Sequence, residues 1–162
     1  MFDAGALTFQ EFMMGESLPL ATLQQAVLEF LRGRDDAVVC GAQAVNAYVG
    51  EPRMTQDLDL LSPRAEALAQ ELRTYLHQQF HRAVRVRQVS QGRGYRLLQV
   101  RQPRNRHLVD IRAVESLPAA QRLADVLVMA PAELIASKVH VYYQRRGRPK
   151  SGLTGATWRC SY

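Results

Sequence analysis

Apolar residues along the first third of the chain recur three or four positions apart. Leu20, Leu23, Val27 and Leu31 keep this spacing, and Pro19 lies near the first turn. The pattern predicts a helix over 18–32. Gly33 and two acids stop it, and the apolar run Ala37 to Cys40 reads as a short strand. Gly41 breaks that strand, and Ala42 to Val49 reads as a short helix ended by Gly50-Glu51-Pro52. Asp57-Leu58-Asp59-Leu60-Leu61 alternates acid and leucine, the period of a strand. Ser62-Pro63 has the form of a helix start, a serine N-cap followed by proline. Leu68, Leu72, Tyr75 and Leu76 supply the buried stripe of that helix.

Three strands are predicted next, over 83–89, 94–101 and 107–113. Gly92-Arg93-Gly94 and Pro103-Arg104-Asn105 join them as turns. Val126 to Met129 adds a short strand. Pro131 opens a last helix with Ile135, Val139 and Tyr142 on one face. This order predicts an α/β (α+β) fold, a mixed β-sheet flanked by helices. A single domain is expected over residues 1–150, with an irregular, disordered tail over 151–162.

Composition narrows the class. The chain has 162 residues, 47% of them hydrophobic and 22% charged, which suits one soluble globular domain and is short for two. No apolar run approaches the ~20 residues of a membrane span. The N-terminal stretch MFDAGALTFQEF lacks the basic region of a secretory signal. Cys40 and Cys160 fit no metal spacing and suit a reducing cytoplasm, with Cys40 read as a buried small hydrophobe. His77, His81, His107 and His140 form no ligand motif and read as surface or packing residues.

The net charge of +6 is almost wholly arginine, since Lys138 and Lys150 are the only lysines. The arginines crowd between Arg82 and Arg112, where Asp110 is the only acid. Such a surface suits a polyanion such as RNA, DNA or a nucleotide. Solvated strand faces would give the same count, so charge does not separate the two.

The chemistry is carried by a few positions. On a strand, Asp57 and Asp59 project to one side and the leucines to the other. Two carboxylates that close repel unless a cation lies between them. Mg²⁺ takes such hard oxygens and shares them with substrate phosphates. Gly41 lets the backbone approach a phosphate, and the following helix N-terminus offers free N–H groups. Arg53 leads into the acidic strand, where it can meet phosphate or hold the carboxylates. Asp110, flanked by apolar residues in His107-Leu108-Val109-Asp110-Ile111, is costly to bury without a cation and suits a third ligand or a base.

With Gly41, the run Arg53-Met54-Thr55-Gln56-Asp57-Leu58-Asp59-Leu60, Val109-Asp110-Ile111, Ala130 to Lys138 and Arg145 to Lys150, the sequence resembles a known family. It is similar to nucleotidyltransferases of the DNA-polymerase-β-like superfold, in the branch of AbiEii-type toxins and related small bacterial proteins. The resemblance spans about residues 36–150. It implies Mg²⁺ or Mn²⁺ and transfer of a nucleoside monophosphate from an NTP to a hydroxyl, with release of pyrophosphate. It further implies Asp57, Asp59 and Asp110 as metal ligands, with Asp110 a candidate base. Gly41, Ala42, Gln43, Arg53 and Thr55 become nucleotide-binding candidates, and Lys138 a catalytic lysine beside the triphosphate. The acceptor is expected to be tRNA, another RNA or a protein, and a cognate antitoxin is an expected partner.

The sequence departs from the family in two places. Gly41-Ala42-Gln43 stands where the family has two small residues and a hydroxyl. The segment Ser151 to Tyr162 has neither helical periodicity nor an acid. Plausible codons for Leu153 to Tyr162 read in a shifted frame give Asp-Trp-Arg-Asp-Val-Ala-Met-Leu-Leu, so a frameshift near codon 152 and a truncated C-terminus are expected. Two other functions stay open. One is a catalytically impaired binding module of a toxin–antitoxin-like pair. The other is a basic nucleic-acid-binding domain whose acids are structural.

Overall fold

A computed structural model describes residues 18–51 and 53–146. The predicted tail over 151–162, the expected frameshift, Cys160 and Lys150 lie outside the described residues. The element order is α1 (Leu20–Leu31), β1 (Val38–Cys40), α2 (Gly41–Asn46), β2 (Leu58–Ser62), α3 (Ala65–Phe80), β3 (Val84–Val89), β4 (Gly94–Gln99), β5 (Arg106–Ala113), β6 (Ala120–Leu123), β7 (Val126–Met129) and α4 (Pro131–Arg145). The seven strands form one mixed sheet in the order β3-β4-β5-β2-β1-β7-β6. β2 pairs parallel to β5 and antiparallel to β1, so the acidic strand is central.

Strand alternation sorts the sheet into two faces. Leu58 and Leu60 of β2, Val109 and Ile111 of β5, and Leu97 of β4 are completely buried. Their register partners place them side by side on one face. α1 and α3 contact each other and the sheet, and the α3 stripe Leu68, Leu72 and Leu76 is fully buried. Tyr95 joins this face to α3, its hydroxyl 3.3 Å from Glu66 Oε2. Tyr75 lies only half-buried, with its ring 5.2 Å from that of Phe30 on α1. Cys40 is buried, as expected for a small hydrophobe.

Three expectations change. Ser62 does not cap α3 but ends β2, and the helix begins at Ala65. The buried Ser62 hydroxyl donates to Asp36 O at 2.6 Å and accepts the Arg64 N–H at 3.0 Å, so it closes a turn between strand and helix. β6 escaped the pattern because Ala120-Gln121-Arg122-Leu123 has no apolar alternation. Antiparallel pairing with β7 at the sheet edge makes it a strand. On α4, Ile135, Val139 and Tyr142 do share a face, but they are 63%, 48% and 66% exposed, while Leu134, Ser137 and Val141 turn inward. Both sets have helical spacing, so periodicity alone could not choose the buried one.

Below the sheet, Arg34 pairs with Asp36 at 2.8 Å and with Glu71 at 2.7 Å, and Arg64 spans the same two acids. This network ties the start of β1 to α3. The Arg34 hydrogen bonds hold the Asp36 carboxyl below its usual range despite partial burial. A carboxylate with a depressed folded pKa contributes stability above its unfolded pKa and loses it as pH falls. Asp36→Asn is therefore expected to lower stability by about 1 kcal/mol at neutral pH. The difference from the parent should shrink in thermal melts taken below the carboxylate range.

Candidate active site

Asp57 immediately precedes β2 and Asp59 lies within it. Across the parallel pair, Asp59 stands opposite Asp110, and on its other side it stands opposite Cys40. Asp110 in turn stands opposite Arg96 of β4. The sheet thus lines up Cys40, Asp59, Asp110 and Arg96 in one row across β1, β2, β5 and β4. Register partners share a face, so both acids and the arginine project from the face opposite the buried leucines.

Asp110 is the most tightly held. Arg96 Nε donates to its Oδ1 at 2.9 Å and Nη2 to its Oδ2 at 3.2 Å. Burial pushes the Asp110 carboxyl up, but His107 and Arg96 together outweigh this and bring it from its ordinary 3.8 to about 2. Asp110 is therefore ionised at any physiological pH. Pairing with Asp110 raises Arg96 in turn, and the nearby charges of Asp57 and Asp59 add to the effect.

His107 reaches the same place through a local irregularity. Residues three apart on a regular strand point to opposite faces. Between β4 and β5 the register passes from Leu97↔Val109 to Leu98↔His107, leaving buried Leu108 as the extra residue of a β-bulge. The bulge reverses the parity and turns His107 toward the acids. Its Nε2 lies 3.1 Å from Asp110 Oδ1 and its Nδ1 3.5 Å from Asp57 Oδ2. Nε2 is buried and makes no properly aligned hydrogen bond among the described residues. The ligand atoms of Asp57, His107 and Asp110 all lie within 4.8 Å of one another, a set able to hold a metal ion.

Gly41 builds the wall beside Asp59. Its φ is +69°, in the left-handed region that glycine adopts freely. A Cβ there would collide with Asp59 Oδ2 and stand 3.1 Å from Cγ. The segment leading to Asp57 is pinned by side chains from two helices. Asn46 accepts the Arg53 N–H at 3.0 Å and donates to Arg53 O at 2.6 Å. Thr55 Oγ1 donates to Gln43 Oε1 at 3.0 Å, and Gln24 of α1 donates to Thr55 O at 2.8 Å.

The fold thus brings together Asp57, Asp59, Asp110 and Gly41. Gln43 and Thr55 bond each other. Arg53 is held through its backbone and its side chain is exposed, and Ala42 is half-buried in α2. Lys138 is half-buried on α4, a helix that packs against α2. Sequence reasoning missed Arg96, whose partner only the register supplies. It also read His107 as surface or packing, because nothing in His107-Leu108-Val109-Asp110 announces a bulge.

The arginine-rich segment is also divided by the fold. Arg106 is buried, donating to Gln99 Oε1 at 2.9 Å and to Leu18 O at 2.8 Å. Arg96 serves Asp110. Arg85 and Arg87 lie exposed on β3, an edge strand, where charge discourages pairing with another chain.

The central parallel strand pair thus carries aligned carboxylates beside a left-handed glycine. The structure resembles the Megavirus polyadenylate synthase, with a TM-score of 0.66 and 14% identity over 81% of this chain and 28% of that one. It also resembles two Helicobacter pylori proteins. One is a provisionally assigned nucleotidyltransferase, with a TM-score of 0.58 and 13% identity over 82% of this chain and 59% of that one. The other is JHP933, with a TM-score of 0.57 and 13% identity over 83% and 58%. This chain therefore spans well under two thirds of each of those chains. A search of curated protein sequences gives no significant match. The family model described as nucleotidyl transferase AbiEii toxin, type IV toxin–antitoxin system, matches residues 23–151. The chain belongs to that family. Among the described residues no helix is long and apolar enough to cross a membrane.

Gly41→Ala tests the wall beside Asp59. The left-handed backbone alone should cost about 1–2 kcal/mol, read as a lower melting temperature. The displaced Asp59 carboxylate should weaken binding of a divalent ion in a calorimetric titration.

Proposed function

We propose that the chain is a metal-dependent nucleotidyltransferase. It moves a nucleoside monophosphate from an NTP to a hydroxyl of RNA or protein, in the cytoplasm, with Mg²⁺ or Mn²⁺ as cofactor. The observation that carries this reading is the row of Asp59 and Asp110, with Asp57 beside it and Gly41 against it.

The residues fit a divalent ion. Asp57, Asp59 and Asp110 offer hard carboxylate oxygens within the field of one guanidinium, Arg96. A buried imidazole nitrogen without an aligned hydrogen bond lies among them. Asp57, Asp59 and Asp110 would hold the ion, which neutralises phosphate charge and stabilises the attacking and leaving oxygens. Asp110 suits ligation better than proton abstraction, because a carboxyl held near 2 is a weak base at neutral pH.

Gly41 leaves room for the Asp59 carboxylate at the end of β1, and a triphosphate held by the ion would pass beside the start of α2. Gln43 and Thr55 fix the approach segment through their mutual hydrogen bond, and the Gln43 amide nitrogen can donate to a phosphate oxygen. Arg53 extends into solvent, where a guanidinium can meet an incoming phosphate. Lys138, on the helix packed against α2, supplies a cation for the leaving pyrophosphate. The acceptor hydroxyl attacks the α-phosphorus, the bond to pyrophosphate breaks, and the hydroxyl proton passes to solvent or a nearby base. An antitoxin is the partner expected for a toxin of this family.

The test is transfer of label from each of the four α-labelled NTPs to a tRNA-containing RNA pool and to the protein itself. Label should appear with one or more NTPs and fall at least about 100-fold in Asp57→Asn/Asp59→Asn. Nucleotide binding without transfer would support the binding-module reading instead. RNA binding unchanged by the double substitution and steeply weakened by salt would support the nucleic-acid-binding reading.

A further inference from the structure

We propose that His107 is itself a metal ligand, so that the site holds a borderline transition-metal dication of the Mn²⁺ type in preference to Mg²⁺. This rests on the metal-site reading above and adds to it a nitrogen donor and a selectivity. The argument begins with position. The Leu108 bulge spends one residue of β5 to bring an imidazole to the face of the acids, where a regular strand would turn it away. The ring then lies between two carboxylates, one just before β2 and one on β5, with Nδ1 3.5 Å from Asp57 and Nε2 3.1 Å from Asp110.

Asp110 does not depend on His107 as its counter-ion. Asp110 already has a permanent cation in Arg96, bonded through both carboxylate oxygens. An ionised carboxylate offers about four lone-pair sites, so those two bonds leave Asp110 able to bind a metal as well. His107 Nε2 lies 3.1 Å from Asp110 Oδ1 without an aligned hydrogen bond to it, and one ring nitrogen falls with a carboxylate oxygen of Asp57 and of Asp110 inside a 4.8 Å cluster that a dication can occupy. The donor chemistry then sets the metal. Mg²⁺ favours oxygen ligands and retained water. Imidazole nitrogen favours Mn²⁺ and the later first-row dications increasingly along the series.

The experiment uses the full chain with Mn²⁺ as probe. Electron spin-echo envelope modulation of bound Mn²⁺ reports a directly coordinated nitrogen. Free-Mn²⁺ signal and Mg²⁺ competition give the affinities. The expected result is nitrogen modulation in the parent and its loss in His107→Gln. Mn²⁺ affinity should fall at least about tenfold in that variant, with a much smaller change for Mg²⁺. A circular-dichroism melt checks that His107→Gln is folded, and His107→Asn serves if it is not. Mn²⁺ bound without nitrogen modulation, or modulation that survives in the folded variant, overturns the role of His107. If that binding is still lost in Asp57→Asn/Asp59→Asn, the carboxylate site stands. Failure of the parent to bind Mn²⁺ overturns both.

Discussion

Repulsion among three carboxylates is the constraint around which the middle of the sheet is built. Asp59 and Asp110 are direct neighbours on parallel strands, and Asp57 lies close enough for His107 to span from it to Asp110. Like charges placed side by side on a sheet destabilise it unless something neutralises them. β4 supplies that neutralisation by setting Arg96 opposite Asp110 in a two-point pair. The opposite face compensates by burying an unbroken row of leucine, valine and isoleucine under α1 and α3. One side of each central strand thus secures the fold, while the other carries charge that packing alone would not favour. Such concentrations of perturbed charge are typical of functional sites.

Two departures from regular geometry serve the same site. Gly41 takes a left-handed conformation against the Asp59 carboxylate, and the bulge at Leu108 turns His107 inward. Each interrupts an otherwise regular strand end or ladder at the point where β1, β2 and β5 meet the acids. Around them, Asn46, Gln43 and Gln24 fix a segment with no secondary structure of its own, through hydrogen bonds to Arg53 and Thr55. Fixing this segment positions Asp57, which would otherwise hang from a loop.

The arginine excess has several causes. Arg96 neutralises an acid of the site, Arg106 is a buried strut reaching Leu18, and Arg34 and Arg64 form an ion network under the sheet. Arg85 and Arg87 stand on an exposed edge. Each is a different physical use of one side chain, and net charge blends them into a single number. The first three are satisfied by partners within the protein. The proposed phosphate contact falls to Arg53, whose side chain is exposed.

The sequence by itself determined the leucine–acid alternation of β2, and therefore which side chains share a face. It determined the helix α1, the stripe of α3 and the strand carrying Asp110, because local periodicity is written in neighbouring residues. The resemblance placed these in a family that the family model and the fold support. Only the tertiary structure decided the rest. It set Asp59 beside Asp110, chose Leu134, Ser137 and Val141 as the inner face of α4, and made Ala120 to Leu123 a strand. It also brought Arg96 and His107 to the acids. The physical reason is common to all of these: strand register, the choice between two apolar helix faces and the parity of a bulge are set by contacts between residues distant in the chain. No local pattern of polar and apolar positions encodes them.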